Sequence, residues 1–327
     1  MKINTMKNIL YLSLISLLFS QCKNSTEKET TNSTVIAEVT TKVNPSFFLE
    51  ENLTEPITKQ EVTLDDGSKK MFYKITIKPQ PKEHETGPWC PKTITDSKDN
   101  GGVWFKDGHL YDVNGYFIAH LDEFYSDPKW KVYHENGNIK ITETQEACEG
   151  AAKPDVEEEY QNHCVECLPS YYPNVQNTFL IPVEPAYIEK PTRISRGGVG
   201  VAFNGVKFDG PAPTHAIIAA HTIAPLDDCG GHVNPHAGYH YHAVTGCSKQ
   251  IEQKDDHSSL IGYAMDGFGI YSLLNKKEIE ASNLDECGGH KDANIGYHYH
   301  AGKAGDNQIL KCLHGQTSPE PRRPPRH

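Results

Sequence analysis

The pattern of apolar and polar positions divides the chain into stretches of different character. Near the start, an apolar run from Ile9 to Phe19 is interrupted only by serines and follows two lysines. A run of this length is short for a membrane-spanning helix, and a charged start before an apolar core is typical of a targeting segment. Residues 22–46 are rich in Thr, Ser, Asn, Glu and Lys, with almost no aromatic side chains. Because such a stretch buries little apolar surface, we predict a flexible tether there.

Cys22 stands shortly after the apolar run. A cysteine at this place resembles a bacterial lipoprotein signal, which is cut before the cysteine and lipidated on it. The resemblance implies that residues 1–21 are a lipoprotein signal peptide and that Cys22 attaches the chain to a membrane through lipid. Gln21 departs from the small residue usual at that place, so a plain secretory signal is the alternative.

Beyond the tether, apolar and polar positions alternate in short stretches, as is typical of β-strands. Val62–Leu64, an Asp-Asp-Gly turn and Met71–Lys78 predict a β-hairpin. Leu121–Trp130 fits a short helix instead. We therefore predict an N-terminal β-rich region over residues 47–170 and a second, mainly β domain over residues 171–316.

One sequence pattern occurs twice in the second domain. Residues 229–243 and 287–301 both read Cys-Gly-Gly-His, five variable residues, then Gly-Tyr-His-Tyr-His-Ala, so ten of fifteen positions are identical without a gap. A related Gly-x-Ala-x-Asx-Gly motif precedes each block, beginning at Gly200 and at Gly262. The pattern predicts an internal duplication. The predicted units are residues 198–247 and 260–315.

The histidine spacing makes each block a candidate metal site. Side chains two apart in a strand point to one face, so each Tyr-His-Tyr-His stretch presents two imidazoles on one side and two phenols on the other. The Gly-Gly pair permits a tight turn that brings the third His of the same block, the one directly after the two glycines, close to the other two. The predicted ligands are His232, His240 and His242 in one unit, and His290, His298 and His300 in the other. Three imidazoles with an open position suit a transition metal, with zinc or copper favoured.

Several arrangements of this chemistry fit the sequence. Each unit holds its own ion, or the two units face each other and share one or two ions. Asp266 is then the candidate catalytic residue, as a ligand, a partner that orients an imidazole, or a general base. An open position on the ion permits metal-assisted hydrolysis. In one alternative His298 or His300 acts as a base without metal; in another the Tyr-His strands form a polar packing network in a surface-binding module. Whether the protein is an enzyme stays undecided at this stage.

These residues resemble the YHYH-domain family of secreted bacterial proteins. The resemblance rests on the two Cys-Gly-Gly-His and Tyr-His-Tyr-His blocks, on Asp266–Tyr271 and on the closing Cys312–Gly315, and it covers roughly residues 180–315. It implies no particular reaction or substrate. The first unit carries Asn204 where the second carries Asp266, so a chemical role for that carboxylate would make the units inequivalent.

The cysteine count predicts a disulfide framework. If Cys22 carries lipid, eight of the nine cysteines remain, and an even number suits four disulfides in an oxidising compartment. We predict the pairs Cys229–Cys247 and Cys287–Cys312, because each closes one unit around its His cluster. The other four leave their pairing open: Cys90, Cys148, Cys164 and Cys167. A lone Cys-x-x-Cys without a thioredoxin-like context favours structural disulfides over a redox or zinc motif.

The net charge and the absence of several well-known motifs exclude some classes of function. The net charge of −11 disfavours nucleic acid as a partner. The sequence contains no phosphate-binding loop, dinucleotide fingerprint, His-Glu-x-x-His motif or nucleophile elbow. Residues 317–327 hold four prolines and three arginines and predict a disordered tail. The sequence thus predicts an extracytoplasmic, mainly β, loop-rich, disulfide-stabilised protein with an internally duplicated C-terminal domain that binds a transition metal.

Overall fold

A computed structural model describes residues 42–195, 197–253 and 256–319. The predicted signal peptide, Cys22, and most of the predicted tether and tail lie outside the described residues. Within them the chain is mainly β and rich in loops, as the sequence predicted.

The strands are β1 Thr58–Thr63, β2 Lys69–Ile77, β3 Val103–Lys106, β4 His109–Asp112, β5 Asn177–Pro182, β6 Tyr187–Arg193, β7 Gly200–Ala202, β8 Lys207–Phe208, β9 Gly231–Asn234, β10 Gly238–Tyr241, β11 Leu260–Ala264, β12 Gly269–Tyr271, β13 Gly289–Asp292, β14 Gly296–His300 and β15 Cys312–Gly315. The α-helices are α1 Gly115–Ala119, α2 Leu121–Tyr125, α3 Gln145–Ala151 and α4 Thr214–Ala219. Short 3-10 turns cover Pro45–Phe47, Glu50–Asn52, Lys98–Asn100, Glu158–Tyr160, Pro169–Tyr171 and Ala304–Asp306.

A three-stranded antiparallel sheet joins the beginning of the described chain to its C-terminal part. Its order is β1-β2-β5, and β1 and β2 form the predicted hairpin, with Thr63 opposite Lys69 across the Asp-Asp-Gly turn. β5 comes from residues beyond the proposed boundary at 170, yet it pairs along six residues with β2. The boundary between 170 and 171 stays a prediction.

An eight-stranded sheet carries both Tyr-His-Tyr-His stretches. Its order is β13-β14-β12-β11-β7-β8-β10-β9. Counted inward from either edge, the sheet has the same kinds of strand pair: an antiparallel hairpin, then a parallel pair, then an antiparallel pair. At each edge lies an antiparallel hairpin, β9–β10 or β13–β14, whose inner strand pairs in parallel with β8 or β12. The antiparallel pair β7–β11 joins the two halves in the middle. This arrangement places the two His-bearing hairpins at opposite edges of one sheet.

Matching registers accompany this order. His240 lies opposite His232 in one hairpin, and His298 lies opposite His290 in the other. The common pairing is what a duplication would produce, although the duplication itself stays a prediction.

Two buried clusters form the core. The larger one contains the tyrosines of the Tyr-His-Tyr-His strands together with residues of β2, β5, β7 and β11. The smaller one surrounds Trp104 and Trp130 beneath α1 and α2. The predicted helix over 121–130 is shorter than expected, because Ser126 adopts a left-handed conformation (φ 54°) that ends α2 at Tyr125.

Four disulfides link the eight described cysteines. Two are the predicted pairs, Cys229–Cys247 and Cys287–Cys312. The others are Cys90–Cys164 and Cys148–Cys167, so the two cysteines of the Cys-x-x-Cys stretch belong to different bridges. This number of bridges agrees with an extracytoplasmic location. In the part of the chain that the structure describes, no helix has the length and apolar character needed to cross a membrane.

Candidate metal centres

Each His-bearing hairpin begins with a Gly-Gly turn whose positive φ angle or close contacts disfavour any side chain. Gly230 has a φ of +80°, and a Cβ there would lie 2.5 Å from the carbonyl oxygen of Ala243. A Cβ on Gly231 would lie 2.6 Å from the hydroxyl of Tyr239. In the second unit, Gly288 has a φ of +90° and a Cβ on Gly289 would meet the hydroxyl of Tyr297. The glycines therefore let the backbone close onto the first tyrosine of each stretch.

An aspartate before each Gly-Gly turn fixes that tyrosine. Asp227 accepts hydrogen bonds from the amides of Cys229 and Gly231 and from the Tyr239 hydroxyl, whose oxygen lies 2.9 Å from Asp227 Oδ2. Asp285 does the same for the second turn, with the Tyr297 hydroxyl 2.8 Å from its Oδ2. The carboxylates thus join the turn to the strand that carries the histidines.

The second tyrosine of each stretch binds the Asx residue of the upstream motif. Asn204 Nδ2 donates to the Tyr241 hydroxyl over 2.9 Å, whereas the Tyr299 hydroxyl donates to Asp266 Oδ2 over 2.7 Å. Asp266 is fully buried, and loss of solvation raises the pKa of this carboxyl to about 6. Since tyrosines and histidines alternate along the strand, Asp266 lies on the tyrosine face. The structure therefore does not bring Asp266 to the histidines, where a ligand or a base would stand.

The opposite face of the first hairpin gathers His232, His240 and His242. The Nε2 atoms of His240 and His242 lie 3.1 Å apart, and the ring centre of His232 lies 4.8 and 5.0 Å from the other two. One nitrogen from each ring falls within 4.8 Å of the others. The three predicted ligands of this unit therefore meet at one point.

The second hairpin gathers its three predicted ligands and one more. The Nε2 atoms of His290, His298 and His300 lie 3.0 to 3.3 Å from one another. His257 joins them, with its Nε2 3.0 Å from that of His298. His257 precedes β11 and lies outside the repeated block, so the repeat gave no signal for it. Counting back from the Gly-x-Ala motif, the first unit has Ser195 at the matching position.

The second nitrogen of each ring contacts a backbone carbonyl. His240 and His242 approach the carbonyl oxygens of Gly238 and Gly210 with Nδ1, and His232 bonds the carbonyls of Ala224 and Pro225. In the second cluster the Nδ1 atoms face these carbonyls: His257 that of Ser258, His290 that of Ser282, His298 that of Gly296 and His300 that of Ser272.

These carbonyls decide the protonation of the rings. A carbonyl oxygen only accepts, so the ring nitrogen facing it carries the hydrogen and, in a neutral imidazole, Nε2 presents its lone pair. Burial lowers the pKa of His232 and of His298 to about 3, and that of His300 to about 4. Burial also places the pKa of His240 well below its ordinary value. At neutral pH these rings are neutral, and several lone pairs point at one another.

Such an arrangement has the dimensions of a metal site. Zinc–nitrogen bonds of about 2.0–2.1 Å in a tetrahedron place ligand nitrogens about 3.3 Å apart. The observed Nε2 separations of 3.0 to 3.3 Å match that edge. Metal-bound histidines ordinarily donate their other ring hydrogen to a carbonyl or carboxylate, as every ring does here.

A cavity of about 240 Å³ lies beside the first cluster. All three of its histidines line it, and much of the remaining wall is apolar, including Trp89 and Ile217. The two clusters lie on separate hairpins and each assembles from its own unit. The geometry therefore fits one ion per unit and not an ion shared between the units.

A third group of potential ligands has a different character. Asp285, Cys287 and His314 lie close together, but Cys287 forms a disulfide and offers no thiolate. The His314 ring stacks on Tyr187, with ring centres 5.0 Å apart. Its Nδ1 faces the carbonyl of Ile188. This group belongs to the packing of β6 against β15.

A comparison with family models matches residues 178–283 to the family described as YHYH protein. Neither the curated proteins nor the solved structures gave a match. The matched stretch contains the whole first cluster and His257, and it ends before the second Cys-Gly-Gly-His block. Over residues 178–283 the chain is therefore similar to the YHYH protein family.

Proposed function

We propose that this chain is an extracytoplasmic protein that binds one transition-metal ion at each of its two His clusters. The observation that carries the proposal is the convergence of ring nitrogens whose opposite nitrogens all face carbonyls. Lone pairs about 3 Å apart repel one another unless a cation lies between them. Imidazole ligation at this spacing suits zinc or copper.

A packing role accounts for the tyrosines but not for the histidines. Each tyrosine hydroxyl of the two stretches has a side-chain partner that anchors a turn. On the other face, Asn234 Nδ2 lies 3.3 Å from His240 Nε2, but the remaining close contacts of the clustered Nε2 atoms are with one another. A purely structural network therefore leaves unexplained why the His positions are not apolar.

The first cluster supports a further proposal about chemistry. Three imidazoles leave an ion one position for water or substrate, and the adjoining cavity gives a small molecule room to reach it. An ion held in this way lowers the pKa of bound water toward neutrality, so metal-assisted hydrolysis is the reaction we propose for this site. Asp266 has no part in it, because its carboxylate is buried against Tyr299 on the tyrosine face.

Elemental analysis of the full chain, produced without a His tag in an oxidising compartment, tests metal binding. We expect two equivalents of zinc or copper in the wild type, and one in each of the variants His240→Ala/His242→Ala and His298→Ala/His300→Ala. His236→Ala is the matched control, because His236 is exposed in the same β9–β10 hairpin but lies outside the cluster. A wild-type protein that stays free of metal after reconstitution contradicts the proposal.

We also propose that lipid on Cys22 anchors the chain to a membrane, on the strength of the apolar run that precedes this cysteine. The wild type should then fractionate with membranes and begin at a lipid-modified Cys22 by mass spectrometry. Cys22→Ala should be released into the soluble fraction. An unmodified Cys22 in the mature wild type would contradict the proposal and favour a plain secretory signal.

A further inference from the structure

We infer that the two clusters are different kinds of metal site: His257 completes the second as a saturated, structural site, and only the first keeps a position for an exogenous ligand. This inference rests on the proposed function and deepens it, because it assigns the two ions different roles.

The position of His257 is that of a fourth ligand. Its Nε2 lies 3.0 Å from His298 Nε2, the same separation that joins His290 to His298. Its Nδ1 faces the carbonyl of Ser258 at 3.0 Å, so the nitrogen turned toward the cluster carries the lone pair. His257 thus has the same two kinds of contact as the ligands from the repeat: one nitrogen near the Nε2 of another histidine and the other facing a backbone carbonyl.

Tyr271 holds His257 in this position. The two ring centres lie 4.7 Å apart with the planes nearly perpendicular, and Tyr271 also contacts the ring of His298 over 4.8 Å. Tyr271 ends β12, which pairs directly with β14. The fourth imidazole is therefore supported by the strand next to the one that carries two other ligands.

Ligand count separates the two sites. Zinc in proteins is almost always four-coordinate in structural sites, whereas reactive sites have three protein ligands and one open position. Four imidazoles exhaust a tetrahedral ion, and three do not. The difference lies in the number of ligands, since the paired histidines His240 and His242 are as buried as His298 and His300.

The first unit lacks a histidine at the sequence position that corresponds to His257. By count along the sequence, Ser195 of the first unit corresponds to His257. Among the described residues, only three histidines form the first cluster, and the cavity of about 240 Å³ lies against them. The pairing of strands around the clusters is otherwise the same in both units. One histidine gained or lost thus separates an open site from a closed one.

Cobalt(II) and azide make this difference measurable. In His298→Ala/His300→Ala, cobalt occupies only the first site, and azide should change its visible absorption. In His240→Ala/His242→Ala, cobalt occupies only the second site, and azide should leave its spectrum unchanged. If a double variant fails to fold, the single variants His242→Gln and His300→Gln replace it.

The variant His257→Ser, made in the second-site-only protein, is the decisive step because it copies the first unit. We expect the second site to become responsive to azide and to release cobalt to EDTA at least tenfold faster. His236→Ser in the same background is the matched control and should change neither property.

Three results overturn the inference while leaving the proposed function intact: no azide response at the cobalt-loaded first site, an azide response at the second site with His257 present, or a His257→Ser variant identical to its parent. A protein that binds no cobalt at either site contradicts the proposed function as well, and this outcome is recognised by its metal content alone.

Discussion

At the scale of single residues, the two faces of each Tyr-His-Tyr-His strand have different roles: one holds turns in place and the other gathers ring nitrogens. The tyrosine hydroxyls bind Asp227, Asn204, Asp285 and Asp266, while the imidazoles turn their free nitrogens toward one another. Alternation along a strand makes this division possible, since neighbours in sequence never share a face. A change on the tyrosine face should therefore affect stability first, and a change on the histidine face metal binding.

Replacing Asp266 with Asn should remove a specific part of the pH dependence of stability. Burial raises the pKa of Asp266 to about 6 from an ordinary value of 3.8, so the folded state holds the proton more tightly than the unfolded state. That contribution is complete below about pH 3.8 and is lost as the pH rises through about 6. Between pH 4 and pH 7 the wild type should lose roughly 2 kcal/mol relative to Asp266→Asn.

The measurement is urea unfolding of both proteins at several pH values. Taking the difference between them cancels the titration of the other groups. A constant difference from pH 4 to pH 7 would show that Asp266 has no raised pKa.

Replacing Tyr299 with Phe should destabilise the protein by about 1–3 kcal/mol. The hydroxyl donates to buried Asp266 and accepts from the backbone amide of His314, so its removal leaves two buried groups without a partner. Tyr116→Phe is the matched control, because Tyr116 is 68% exposed. Thermal or urea unfolding measures both, and equal stabilities would contradict the role given to this hydroxyl.

At the scale of the element, the unit of function is a hairpin closed by a Gly-Gly turn and a disulfide. The turn brings His232 opposite His240, and the Cys229–Cys247 bridge begins at the residue before Gly230. A cross-strand His pair on one face is close enough for both rings to reach one ion. The ligands are thereby placed by backbone geometry before any metal binds.

Gly230→Ala should destabilise the chain more than Gly67→Ala. Both glycines have nearly the same positive φ, +80° and +81°, so both substitutions incur a similar conformational cost of about 1 kcal/mol. Only at Gly230 does the new Cβ collide with backbone, the carbonyl of Ala243, which should add about 1–3 kcal/mol. Unfolding free energies measure the difference; equal losses would show that the turn adapts without strain.

At the scale of the whole molecule, one sheet carries two hairpins at its edges and four disulfides hold the chain around it. The second cluster draws its ligands from segments that meet only in the folded state, since His257 lies 41 residues before His298 in the chain. An ion bound to the folded state alone adds its binding free energy to stability.

Removing metal should therefore lower the melting temperature. With disulfides intact, wild type treated with EDTA should melt several degrees lower and recover when zinc is restored, because each lost ion removes a few kcal/mol of linked stability. His240→Ala/His242→Ala should respond less, having one ion to lose. Calorimetry measures all of these, and a melting temperature indifferent to EDTA and zinc would indicate a module held by disulfides alone.

Local sequence signals predicted much of this site. The signals that predicted these features act over short distances in the sequence: the turn residues, the alternation of Tyr and His, and the cysteine positions. Residue spacing was therefore enough to predict the β1–β2 hairpin, the three histidines of each block and the two disulfides that close the blocks. The prediction for Asp266 depended instead on which face of a distant strand it would reach. Spacing does not encode that, and the structure places Asp266 on the tyrosine face.

The sequence by itself determined which residues lie on one face of each His strand, because the period of a β-strand is a local property of the backbone. Only the tertiary structure decided that β12 would bring Tyr271 beside β14, that His257 would enter the second cluster, and that the first cluster would adjoin a cavity. These depend on the order of strands in the sheet and on packing between segments far apart in the chain. That is why two sequence blocks with the same histidine spacing form sites with three and with four converging imidazoles.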